Sequence, residues 1–162
     1  MTVQCLVLTF TREGFEIRTL YHKRFFETYT GLKRWHDNER RGWLRGHVET
    51  RTLTGRRRMD VQKLTDRLNA PVQGTGADGL KLALALLWEQ RTECPGAVPV
   101  LVCHDEVVLE CPKEDTRGVA PWLKAKMGEA MEEIMGKELS GPKCAEVGYG
   151  PSWGECVDLV ES

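Results

Sequence analysis

The chain has 162 residues, 41% of them hydrophobic and 29% charged, with a formal net charge of −1. That is the length of one domain with a core of its own and the composition of an ordinary soluble protein. The apolar run at residues 3–10 is too short to cross a bilayer and has neither a basic lead nor a small-residue cleavage site. Neither a membrane helix nor a signal peptide is therefore expected there, and the expected location is cytoplasmic.

The six cysteines (Cys5, Cys94, Cys103, Cys111, Cys144 and Cys156) form no Cys-x-x-Cys pair, and the four histidines stand singly. This spacing argues against a zinc site, and reduced thiols are the default expectation.

In chain order, residues 1–14 carry no recognisable pattern. Ile17, Leu20, Tyr21, Phe25 and Tyr29 then recur at helical spacing, and Thr30-Gly31 is expected to stop that helix. Residues 32–43 predict a second, strongly polar helix, ended near Gly42 or Gly46. Residues 47–52 are β-rich, and Gly55 can turn the chain ahead of Arg56, Arg57 and Arg58, so a small hairpin is expected. From residue 40 to residue 58 there are seven arginines against one acid, Glu49. Such asymmetry is the footprint of a phosphate-contacting stripe, and it is also the pattern of a solvated face.

Residues 60–68 predict a helix that Asn69-Ala70-Pro71 breaks, because proline lacks an amide donor and pushes its predecessor out of helical conformation. Thr75, three residues before Asp78, resembles an N-terminal cap. A new helix is expected from there to about Gln90, with Ala77, Leu80, Leu84 and Leu87 on one face, apolar enough to lie beneath a sheet.

Residues 98–103 and 107–109 are short β-branched runs with prolines at 99 and 112, and they read as the two strands of a hairpin. Their connection, His104-Asp105, lacks the Asn-Gly or Asp-Gly of a tight turn. Two readings are open from these residues alone. Either the turn is an acidic stretch of surface, or Asp105 is lifted to a fixed point as a divalent metal site requires. A pivot at His104-Asp105 sets Cys103 opposite Glu106 and Cys111 opposite Val98, which argues against a bridge between the two cysteines.

Residues 116–139 predict a helix with Trp122, Met127, Met131, Ile134 and Met135 as a core stripe and Pro121 at its first turn or at a kink. Residues 143–148 read as a last strand, after which Pro151-Ser152-Trp153 turns away. The expected class is α+β: a small antiparallel sheet, made of the hairpin around His104-Asp105-Glu106 and the C-terminal strand, backed by several helices.

Several of these stretches resemble segments of the family A DNA polymerases. Leu68-Asn69-Ala70-Pro71-Val72-Gln73-Gly74-Thr75-Gly76-Ala77-Asp78 is similar to that family's Asn-x-Pro-x-Gln-Gly-Thr-x-Ala-Asp segment. Val102-Cys103-His104-Asp105-Glu106-Val107-Val108 resembles its palm motif Val-His-Asp-Glu, and Thr52-Leu53-Thr54-Gly55-Arg56-Arg57-Arg58 its Thr-Leu-x-Gly-Arg-Arg-Arg segment. Phe25-Phe26-Glu27-Thr28-Tyr29 and Glu146-Val147-Gly148-Tyr149-Gly150-Pro151-Ser152-Trp153 match segments before and after, all in the family's order.

The resemblance implies a partial polymerase palm over residues 15–162, with residues 1–14 unmatched. It implies that Asp105 is one of two metal-binding aspartates for two-magnesium nucleotidyl transfer, with Glu106 beside it and His104 at the primer end. Gln73 and Asn69 match positions that reach the minor groove of primer-template DNA, and Arg56, Arg57 and Arg58 would contact DNA. On their residues alone, Asn69 could equally cap a helix end and Gln73 bond local backbone.

The family's other aspartate, and the fingers helix with its Arg, Lys and Tyr for the incoming dNTP, have no counterpart here. The implied function is a polymerase portion, inactive alone, that needs an N-terminal part. The family's Arg four residues before the Asn is Thr65 here, with Arg67 nearby in a shifted register. Two other readings compete: a non-catalytic DNA-binding remnant, and a metal-dependent nuclease or phosphohydrolase using Asp105 and Glu106, with Asp78 as a further candidate ligand that capping accounts for better.

Overall fold

A computed structural model describes residues 22–137 and 145–158. Residues 22–28 are helical (α1), and after Tyr29 the chain continues as α2, Thr30–Leu44. The interruption falls one residue before the expected Thr30-Gly31 stop. Phe26 of α1 lies against His36 of α2, ring centroids 5.4 Å apart, so the two segments fold back on each other. As its composition foretold, α2 buries no residue completely.

The expected small hairpin follows. β1 (Thr50–Arg51) pairs antiparallel with β2 (Arg57–Arg58) around a turn containing Gly55, whose φ of +88° suits a residue without Cβ. Val61 then turns inward, 2% exposed, its amide bonded to the Val48 carbonyl at 2.8 Å.

The principal helix, α3, spans Leu64–Glu89 without a break. This corrects two expectations: residues 60–63 are not helical, and Asn69-Ala70-Pro71 does not end a helix. Proline removes only one donor, and α3 is held on both sides of it by buried residues at Arg67, Ala70, Thr75 and Gly79. Tertiary burial outweighs the local cost. Thr75 is accordingly no cap: it lies mid-helix, its Oγ1 donating to the Pro71 carbonyl at 2.6 Å and accepting from the Leu53 amide at 3.0 Å.

After a 3₁₀ turn at Arg91–Glu93 come β3 (Val98–Cys103) and β4 (Glu106–Glu110), an antiparallel hairpin closed by His104-Asp105 as expected. Cys103 faces Glu106, but a register shift between Pro99 and Leu101 makes Val98 face Glu110 and not Cys111. Val100 is the extra residue, and Pro99, which cannot donate to a ladder, sits beside the irregularity. Cys94, Cys103, Cys111 and Cys156 are free thiols.

A 3₁₀ turn at Lys113–Asp115 leads into α4 (Thr116–Met135), which carries Pro121 internally. Small residues allow α3 and α4 to pack closely: Ala83, Ala120, Ala130 and Leu87 are buried, and a Cβ at Gly79 would collide with the Met131 sulfur. α3 thus packs chiefly against α4 and not beneath the β3–β4 hairpin, none of whose residues is fully buried.

β5 (Gly148–Tyr149) pairs with β6 (Val157–Asp158) across a 3₁₀ turn at Trp153–Glu155. The architecture is α+β as expected, but the C-terminal strand pairs with β6 and does not join the central hairpin. Of the strand expected at residues 143–148, residues 143–144 lie outside the described region and 145–147 are irregular. Residues 1–14, and the end of the helix expected to reach 139, also lie outside it.

Candidate functional site

The β3–β4 hairpin presents His104, Asp105 and Glu106 at its tip, all exposed. Among the described residues, none of the three side chains makes a hydrogen bond or ion pair. His104 has φ of +56°. A positive φ at the first central residue is the geometry of a type II′ turn, where glycine is the favoured residue. A histidine held there, between Cys103 and Asp105, carries local strain. The tip is therefore a solvated presentation of one imidazole and two carboxylates.

A second set of candidates lies on the N-terminal half of α3. Asn69 and Gln73 are both exposed and four residues apart, which sets their amides on one face, one turn apart. Neither caps a helix end, since α3 runs through both, and neither has a side-chain partner among the described residues.

The turn that carries the arginine triplet is fastened to the same helix. Arg56 Nε donates to Asp78 Oδ1 at 2.6 Å, and its Nη2 donates to the Gly74 carbonyl at 2.9 Å. Thr54 donates to the other oxygen of Asp78 at 2.6 Å, and the Leu53 amide donates to Thr75. Thr52 accepts from the Arg56 amide at 3.1 Å and packs against Gly74, where a Cβ would stand 2.5 Å from its methyl group. Burial works against ionisation of Asp78, yet the hydrogen bonds from Thr54, Thr52 and Arg56, with the charge of Arg56, hold its carboxyl below the usual range. Asp78 thus stands in a closed cluster, and the capping role read for it does not hold.

The three arginines of the triplet differ. Arg56 is committed to Asp78 and Gly74. Arg57 pairs with Glu49, which also holds Arg51 at 2.9 Å, and the hydrogen bond from Arg57 is the main reason the Glu49 carboxyl lies below its usual range. Arg58 is exposed and has no partner among the described residues. Arg67 points inward: its Nε lies 2.6 Å from Glu39, an ion pair and not a well-directed hydrogen bond, and its Nη1 donates to the carbonyls of His47 and Glu49 at 2.7 and 2.8 Å. It binds α2, α3 and the segment leading into β1 together and does not replace an outward arginine at Thr65.

Sequence reasoning did not foresee the Arg56–Asp78 cluster or the buried Arg67. The available signal was an aspartate within an apolar helix, a residue almost never buried without a partner. Its partner lies 22 positions away, on an element whose placement no local pattern specifies. Among the described residues, no group of three or more His, Cys, Asp or Glu side chains converges as a metal cluster. None of the described helices is long and apolar enough to cross a membrane.

Comparison with known proteins places the chain in a family. A model of DNA polymerase family A matches residues 18–155. The chain is 37% identical over 151 residues to the thermostable DNA polymerase I of Thermus aquaticus, covering 86% of this chain and 17% of that protein. It is 39% identical over 116 residues to DNA polymerase I of Aquifex aeolicus, covering 70% of this chain and 20% of that protein. With DNA polymerase I of Deinococcus radiodurans the figures are 35% over 141 residues, 80% and 14%. The chain therefore spans a fifth or less of the length of these relatives. With the match running from α1 to the turn before β6, this chain belongs to DNA polymerase family A.

Proposed function

We propose that residues 15–162 form the C-terminal palm portion and fingers base of a DNA-directed DNA polymerase. In this reading the chain binds primer-template DNA and contributes Asp105 as one of two metal-holding carboxylates for nucleotidyl transfer. The observation that carries the reading is the hairpin tip, an exposed and unpartnered carboxylate beside a histidine held at φ +56°. Strain of this kind persists where a side chain must be held in one direction.

The donor chemistry of the tip fits magnesium, which prefers hard oxygen ligands such as the Asp105 carboxylate, with Glu106 adjacent to modulate the local field. Such an ion, when bound, stabilises attacking and leaving oxygens of a phosphoryl group. His104 contacts the primer end. Asn69 and Gln73 reach minor-groove acceptors, which are alike for every correct base pair and so can be checked without reading sequence. Arg58 holds phosphate, and Arg57 joins it by exchanging Glu49 for the backbone. Arg56 supports the interface from behind.

The second carboxylate and the dNTP-holding fingers helix belong to an N-terminal polymerase part. Support comes from the apolar side chains that the hairpin leaves uncovered: Val98, Val100, Leu101 and Val102 are 55, 48, 42 and 42% exposed. A two-stranded ribbon with this much apolar surface is marginal until something covers it. The two carboxylate oxygens of Asp78 are taken by Arg56 and Thr54, which weighs against the nuclease reading. The site proposed is that of a cytoplasmic enzyme.

Primer extension tests the reading. The chain alone, with magnesium, dNTPs and a primed template, should not extend. Adding a family A fragment that carries the other carboxylate and the fingers helix should produce extension. Asp105→Asn should then lower its rate by about 10²-fold or more, with DNA affinity unchanged. Robust extension by the chain alone would overturn the incomplete-site reading. DNA binding with no extension in the complemented mixture would leave a non-catalytic DNA-binding remnant.

A further inference from the structure

We infer that Asp78 and Arg56 are positioning residues: their ion pair locks the arginine turn onto α3, so that Asn69, Gln73 and Arg58 form one rigid DNA-facing surface. The inference rests on the proposed DNA-binding role and extends it to residues that do not themselves touch DNA. Three features support it. The pair is doubly anchored, since Asp78 accepts from both Arg56 and Thr54 while Arg56 also donates to the Gly74 carbonyl. The Asp78 side chain is 9% exposed, so phosphate cannot readily displace it from Arg56. The anchor points, Gly74, Thr75 and Asp78, follow directly on Gln73 along the same helix.

The consequence separates Arg56 from its neighbour Arg58, although sequence alone makes them equivalent. A guanidinium already neutralised within the protein releases no counterion when DNA binds, whereas one that meets phosphate does. Arg56 therefore contributes to affinity through geometry, and Arg58 through charge. Loss of the clamp frees the turn, and the cost of re-ordering it falls on binding.

The experiment is fluorescence anisotropy of a labelled primer-template duplex with the full chain, titrated at salt concentrations between about 50 and 200 mM. Arg58→Gln should lower the salt slope by about one. Arg56→Gln should leave that slope unchanged and weaken binding about three- to tenfold. Asp78→Asn should weaken binding similarly, and the double variant should be no worse than either single one. Arg56→Lys, which keeps the charge, should recover part of the affinity. Thr54→Val, a milder change to the same cluster, should show a smaller loss and serves if Arg56→Gln does not fold. A drop in slope of about one for Arg56→Gln would make Arg56 a phosphate contact and overturn the inference. Unchanged affinity in folded Asp78→Asn and Thr54→Val would also overturn it, with the DNA-binding reading left standing. Absence of duplex binding by the unaltered chain would overturn both.

Discussion

His104 and Asp78 illustrate how single residues here are chosen by context and not by local preference. His104 occupies a backbone conformation that glycine would adopt at less cost, and it does so beside the exposed Asp105. Asp78 is a charged residue on a helix that packs into the core, tolerated because three donors surround it. Its carboxyl is held below the ordinary aspartate value of 3.8, so its stabilising contribution is fully present above that value and is lost as pH falls through the lowered one. Asp78→Asn is expected to cost about 1 kcal/mol at neutral pH, near the lower end for a charged hydrogen-bonded pair, because Arg56 is 46% exposed and water screens it. In urea melts the gap between the unaltered chain and the variant should be constant above about pH 5 and should close below about pH 4. A gap that widens on acidification would contradict the assigned direction of the shift.

At the scale of elements, α3 decides most of the arrangement. It is long enough to carry the arginine turn and the Asn69–Gln73 face on its first half and the α4 contact on its second. Its interior proline is a local defect: without an amide at Pro71, the Arg67 carbonyl has no intrahelical donor. Pro71→Ala should therefore stabilise the chain to heat, by about 1 kcal/mol or more. A loss of stability would mean that the ring of Pro71, which lines the cleft beside Trp35 and Met59, contributes more through packing than it costs the helix. The β3–β4 hairpin is the opposite kind of element, held by its own ladder and presenting Asp105 at its exposed tip.

At the scale of the molecule, the buried core formed by the described residues is small. Its hydrophobic members are Val61, Ala70, Ala83, Leu87, Ala97, Val119, Ala120 and Ala130, and Leu87 is its one large fully buried side chain among the described residues. Seven of these eight are alanine or valine, which contribute less burial than leucines would, so stability is concentrated where α3 and α4 meet. Hydrogen exchange should show this unevenness: slow amides in the facing parts of α3 and α4, and faster exchange in β3 and β4. Addition of the complementary polymerase part should slow exchange in the hairpin selectively. Equal protection of hairpin and helices in the isolated chain would count against the hairpin as an uncovered surface.

Family membership, the α+β class, the central hairpin with Asp105 at its turn, and the small arginine hairpin were all legible in the residues. Motif order and period-2 or period-3.6 patterning are local properties, and they survive whatever the rest of the chain does. The run through Pro71, the Val100 irregularity, the pairing of β5 with β6, and the different fates of Arg56, Arg57, Arg58 and Arg67 were not. Each depends on which distant group lies within hydrogen-bonding distance: Asp78 for Arg56, Glu49 for Arg57, Glu39 for Arg67, and β6 for the edge of β5. Sequence by itself determined the family and the elements that carry the candidate residues. Tertiary structure alone decided which of its charges face solvent and which are spent inside, because an ion pair forms through space between residues whose separation along the chain sets no distance between them.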